Sequence, residues 1–141
     1  MTKFMKLMAA AGLAVSLGSC ASSKTQSESP SVVGKWNIVA VEGERVSGAE
    51  KDPYIQFGTD NRMNGCAGCN QMMGSYTVDS IKQTLTFDHV GSTRMMCRDM
   101  KTEDAVLSAI GKVKAYRTED GHLILVDEAG TSLLTLEKSD K

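Results

Sequence analysis

The chain has 141 residues, of which 41% are apolar, 23% charged and 5% aromatic, which describes one modest globular unit and excludes a multidomain protein. A formal charge of −1 supplies no basic field, and no local basic patch is visible, so nucleic-acid recognition and polybasic membrane binding are not expected. With two histidines, His89 and His122, and four cysteines, Cys20, Cys66, Cys69 and Cys97, a histidine-rich metal centre is excluded too.

The first segment reads as an export signal. Lys3 and Lys6 precede the apolar run Leu7 to Val15, which is too short to cross a hydrocarbon layer of about 30 Å as a helix. Leu17-Gly18-Ser19-Cys20 then looks like a bacterial lipobox: an apolar residue, two small ones for the peptidase, and a cysteine to be acylated. Residues 1–19 are therefore expected to be removed and Cys20 to carry lipid, a lasting membrane anchor because each buried methylene contributes about 0.8 kcal/mol. Ala21 and Ser22 lack the acidic residue that retains lipoproteins in the inner membrane of enteric bacteria, which favours the outer membrane. Without Lys3 and Lys6 the mature chain holds 14 basic and 17 acidic residues, a charge of −3. Residues 20–33, Ser-rich and poor in large apolar groups, are expected to form a disordered tether to a domain at 34–138.

That domain reads as strands. Trp36 to Val41 is β-branched and bounded by Gly34 and Glu42-Gly43-Glu44. Tyr54 to Phe57, Arg62 to Asn64, Gly74 to Val78 and Thr84 to Phe87 follow, with turns at Asp60-Asn61 and Asp79-Ser80. Val113 to Arg117, His122 to Val126 and Leu133 to Glu137 read as a closing meander through Glu119-Asp120-Gly121 and Glu128-Ala129-Gly130. One segment differs: residues 100–111 predict a helix of about three turns, capped by Asp99, with acids in its first turn, Val106, Leu107 and Ile110 on one face, and Gly111 at its end. The fold class is α+β, mainly antiparallel β: about eight short strands curled into an open barrel or roll, with the helix closing the core.

The chemistry-bearing residues fall in two clusters, Gly65-Cys66-Ala67-Gly68-Cys69-Asn70 and Thr93-Arg94-Met95-Met96-Cys97, with Met63, Met72, Met73 and Met100 nearby. A redox CxxC of the thioredoxin kind needs a strand before it and a long helix after it, whereas Asn70 leads to another strand. A structural zinc site needs a second CxxC or a histidine pair. Thioether and thiol ligands select Cu(I), so Cys66, Met72, Met73, Met95 and Met96 form an alternative soft-metal or thiol-redox set. In a chain with three phenylalanines, however, methionine is also the natural core filler. His89 and His122 read as surface residues at strand ends. Ser75 lacks a nucleophile elbow, and Glu119-Asp120 and Asp127-Glu128 sit in turns, so no catalytic constellation and no cofactor is expected.

The two clusters resemble the META domain family, and within it the heat-shock lipoproteins of the HslJ type. The matching residues are Trp36, Val41-Glu42-Gly43, Pro53-x-Ile55-x-Phe57-Gly58, Gly68-Cys69-Asn70, Gly74, Thr93-Arg94-Met95-Met96-Cys97, Gly121-x-Leu123-x-Leu125 and Leu134-x-Leu136, spread over residues 34–137. The resemblance implies a β-rich domain with one helix after the second motif, links to heat or envelope stress and antibiotic tolerance, and no established enzymatic activity. It also matches Cys69 and Cys97, with Cys66 as a departure. In an oxidising compartment three thiols allow one disulfide. Cys69–Cys97 is the favoured pairing, with Cys66 buried or free, and Cys66–Cys97 remains the alternative. A Cys66–Cys69 bridge would close too little chain to stabilise much. The expected role is a lipid-anchored, non-enzymatic envelope module that contacts a partner protein or small ligand and no nucleic acid.

Overall fold

The computed structural model describes residues 31–140; the expected signal segment, Cys20 and the expected tether up to residue 30 lie outside the described residues. Regular structure runs in the order β1 (Gly34–Val41), β2 (Glu44–Arg45), β3 (Tyr54–Phe57), β4 (Arg62–Cys66), β5 (Gln71–Asp79), β6 (Thr84–Ser92), α1 (Lys101–Ile110), β7 (Ala115–Glu119), β8 (His122–Val126) and β9 (Ser132–Lys138). The mainly antiparallel β architecture with one helix is as the sequence implies. Eight strands form a ring, β1-β3-β4-β5-β6-β7-β8-β9, which closes because β9 returns to pair with β1 from Trp36↔Lys138 to Val41↔Leu134. Closure removes most of the exposed edge that an open sheet of this length would present, although β6 meets β7 only at Thr84↔Ala115.

The inward faces are apolar. Ile55, Phe57, Met63, Met72, Leu85, Leu123, Leu125, Leu134 and Leu136 are all essentially inaccessible. A bulge between Ile38 and Ala40 resets the alternation of β1, so Trp36, Ile38 and Val41 all face inward. Phe57 meets Tyr76 edge-on at 4.9 Å and Phe87 nearly parallel at 5.9 Å, and the Trp36 indole donates to Val32 O at 2.8 Å. Gly65 stands where β4 crosses β3, and a Cβ there would fall 2.1 Å from Tyr54 O, so a side chain is excluded by backbone.

Several elements exceed their sequence signal. β4, β5 and β6 extend beyond the predicted segments because pairing, as in Cys66↔Gln71 and Met72↔Ser92, holds residues with little strand propensity of their own. β2 is additional: Glu42 (φ 49°) and Gly43 (φ 85°) make a two-residue hairpin turn that returns Glu44 and Arg45 against Val41 and Ala40.

The helix packs against β1 and β9 and adds Val106, Ala109 and Ile110 to the core. Its N-cap is Met100, not Asp99, although Asp99 Oδ1 still accepts the Lys101 N–H at 2.9 Å. Gly111 ends it in right-handed geometry (φ −67°), so glycine's special freedom is unused there. The buried face is Glu103, Val106, Ala109 and Ile110, whereas Leu107 is only half-buried, leaning out toward β6.

Candidate functional site

Both sequence clusters lie beside the N-terminal turn of α1. The loop from Cys66 to Asn70 is pinched by Ala67 N–H donating to Asn70 O at 3.1 Å, and Gly68 at φ 125° supplies a conformation that side chains disfavour. Cys69 and Asn70 are thereby carried inward, where both are buried.

Asn70 organises the site. Its Oδ1 accepts from Met95 N–H at 2.6 Å and from the Thr93 hydroxyl at 2.8 Å; its Nδ2 donates to Met95 O at 3.0 Å and to Glu103 Oε2 at 2.5 Å. The second Glu103 oxygen accepts the main-chain N–H groups of Asn70 at 2.5 Å and Cys69 at 3.2 Å. Thr93 stitches the strands by taking the Gln71 N–H on Oγ1 at 3.1 Å and giving its own N–H to Gln71 O at 3.0 Å. A carboxylate 3% exposed and an amide 2% exposed thus satisfy one another and three chain segments at once. A disulfide joins Cys69 to Cys97 across the same junction, with Cα atoms 6.1 Å apart, and among the described residues Cys66 is the free cysteine, buried.

The second cluster divides between two environments. Its main chain is fixed by Asn70 and Cys97, while Arg94, Met95 and Met96 project into solvent, the methionines 50% and 85% exposed. Met73 on β5 is also exposed, whereas Met72 next to it faces the core, as strand alternation requires. Core filling thus describes Met63 and Met72 and does not describe Met73, Met95 and Met96. The set Cys66, Met72, Met73, Met95 and Met96 is split, its first two members inside and the other three outside. Among the described residues no group of three or more His, Cys, Asp and Glu is placed to hold a metal ion.

The other candidates stand apart. His89 is exposed at the β6 bulge with φ 52°, within the strand rather than at its end, and His122 opens β8 opposite Glu137. The Ser75 hydroxyl donates to Asp88 O at 3.2 Å. Burial pushes the Tyr76 phenol upward with Asp60 adding to it, and its hydroxyl donates to Gly58 O; Tyr116 is raised by burial, with Asp79 adding. Tyr76 stands on β5 and Tyr116 on β7, both buried. Asp79 is held below its ordinary value of 3.8 by the N–H groups of Lys82 and Ile81.

Glu103 is the residue sequence reasoning missed. An acid in the first turn of a helix reads as a partner for the helix dipole, and only the fold shows it turned inward onto Cys69 and Asn70. The available signal was its place six residues after Cys97, in the first helical turn beyond the second motif.

Comparison with protein-family models matches the META domain over residues 30–140. Comparison with curated proteins finds no match. Among solved structures, the chain is similar to an NMR structure of a protein from Burkholderia xenovorans, at TM-score 0.59 and 23% identity over 77% of this chain and 83% of that one. A second NMR structure matches at TM-score 0.60 and 21% identity, covering 76% and 90%. A crystal structure of a DUF4847 family protein from Bacteroides vulgatus matches at TM-score 0.54 and 14% identity, covering 77% and 94%. At these identities the structural likeness speaks for the fold.

Proposed function

The chain belongs to the META domain family, and from that premise we propose that it is a lipid-anchored, non-enzymatic envelope protein of the HslJ type. In this reading Cys20 carries the lipid, the outer membrane receives it, and the domain acts as a binding module in heat, envelope or antibiotic stress. The observation that supports a binding role is how the polar groups of the two motifs are used. Asn70, Thr93 and Glu103 bond to one another and to the chain, while Arg94, Met95 and Met96 are presented outward on a fixed loop. A site arranged for catalysis would instead turn such groups toward a substrate.

Metabolic labelling with a fatty acid, followed by membrane fractionation, tests the anchor. Label is expected in the outer membrane and lost in Cys20→Ser; a freely released, unlabelled wild-type chain would overturn it. The stress role is tested by deleting the chromosomal copy. The expected result is impaired survival on heat or antibiotic challenge, restored by the wild-type chain and not by a variant lacking Arg94, Met95 and Met96 side chains.

A further inference from the structure

We propose that the outer edge of β6 and the groove beside it bind an extended peptide segment, with apolar side chains at alternate positions and acidic residues at one end. The proposal rests on the binding-module reading and gives it a ligand class.

The first observation is main-chain hydrogen bonding. β6 pairs with β7 at one register position, Thr84↔Ala115. There Leu85 N–H donates to Lys114 O at 3.1 Å and Gln83 O accepts Tyr116 N–H at 3.0 Å. Beyond this point the strand has β5 alone as a partner, and among the described residues no main-chain bond from 86–92 reaches any other element. Phe87, two residues on from Leu85, turns its main-chain groups to the same open side. So does Ser92, because Thr93 next to it gives its N–H to Gln71 on β5. A row of N–H and C=O groups in this state is matched by water or by an added strand.

The second observation is the groove. Between β6 and α1 lies a volume of about 320 Å³ lined by Phe87, Val90, Gly91, Ser92, Leu107 and Ile110. It accepts apolar side chains directly beside the open strand edge. The third is charge. The segment Thr93 to Lys101, which continues from Ser92, holds Arg94, Arg98 and Lys101 against Asp99 alone, and Asp99 already accepts the Lys101 N–H. The remaining described residues hold 9 basic and 15 acidic side chains. A small positive field therefore stands at one end of the groove on an otherwise acidic domain, on a loop that the disulfide and Asn70 have already ordered.

An extended peptide fits these three features together. Residues 21–30 of this chain, ASSKTQSESP, do not, having no large apolar side chain for the groove.

The test is selection of random twelve-residue peptides from a display library against the full chain. Enriched peptides are expected to alternate apolar residues and carry acids at one end. They should bind at least tenfold more weakly to Arg94→Glu/Arg98→Glu and to Val90→Asp, and should slow amide exchange at Phe87 and Ser92. The two arginines are exposed and make no side-chain hydrogen bond or ion pair among the described residues, so that variant remains decisive if Val90→Asp does not fold. No enrichment, binding that survives the arginine substitutions, or protection confined to another surface would overturn the proposal. So would binding to anionic lipid vesicles in place of peptides. None of these outcomes bears on Cys20 acylation or the stress phenotype, which are read separately.

Discussion

Asn70 and Glu103 show how much one buried pair can hold. Each Glu103 oxygen accepts only, so Glu103→Gln would set an amide nitrogen against the Asn70 Nδ2 or a main-chain N–H. The expected loss of unfolding free energy is about 1–3 kcal/mol, measured by urea unfolding. An unchanged midpoint would mean that the carboxylate is not needed where it lies. Asn70→Asp should be at least as costly, because it places a second carboxylate 2.5 Å from Glu103 Oε2. Asn70 was legible as a letter of a motif and Glu103 only as an acid at a helix start. What each one does depends on a partner 33 residues away, which no local pattern encodes.

At the scale of elements, the disulfide ties the β4–β5 loop to the segment entering α1 and encloses 28 residues of separation. Removing it with Cys97→Ser is expected to cost roughly 3–4 kcal/mol by chain entropy, read from denaturant midpoints. Cys66, buried, should resist alkylation in the folded chain and react once it is unfolded; rapid labelling of the native protein at Cys66 would contradict its placement. The β5–β6 connection offers a pH test. Ile81 and Lys82 N–H groups donate to Asp79 Oδ1 at 2.9 and 3.1 Å and hold the carboxyl below 3.8. A carboxyl depressed on folding stabilises the fold above its unfolded value, and that contribution is lost as pH falls through the lower, folded one. Asp79→Ala should therefore melt below wild type near neutrality, with the gap narrowing on acidification below 3.8. A gap that is constant with pH would assign the turn's effect to something other than this ionisation. Strand starts such as Tyr54 and His122 were legible because turn residues bracket them. The far ends of β4 and β6 and the beginning of β5 were not, since pairing alone keeps Gly65, Gly91 and Met73 extended.

Over the whole molecule, the ring is unevenly sealed. β1 and β9 pair along most of their length, whereas β6 and β7 meet at one position with two main-chain bonds. Native-state hydrogen exchange should find the amides of Leu85 and Tyr116 opening at lower free energy than those of Asn37 and Glu137, which face one another across the β1–β9 seam. Equal protection around the ring would place the weakest seam elsewhere. Alone, the sequence determined the family, the antiparallel strands, the single helix and the expectation of export, because alternation, turn residues and motif spacing are local and survive in one dimension. Ring closure through β1 and β9, the inward turn of Glu103, the outward turn of Met73, Met95 and Met96, and the gap beside β6 were decided only by tertiary structure. Each depends on which distant segment occupies the neighbouring position, and that is fixed by how strands of unequal length share one closed sheet.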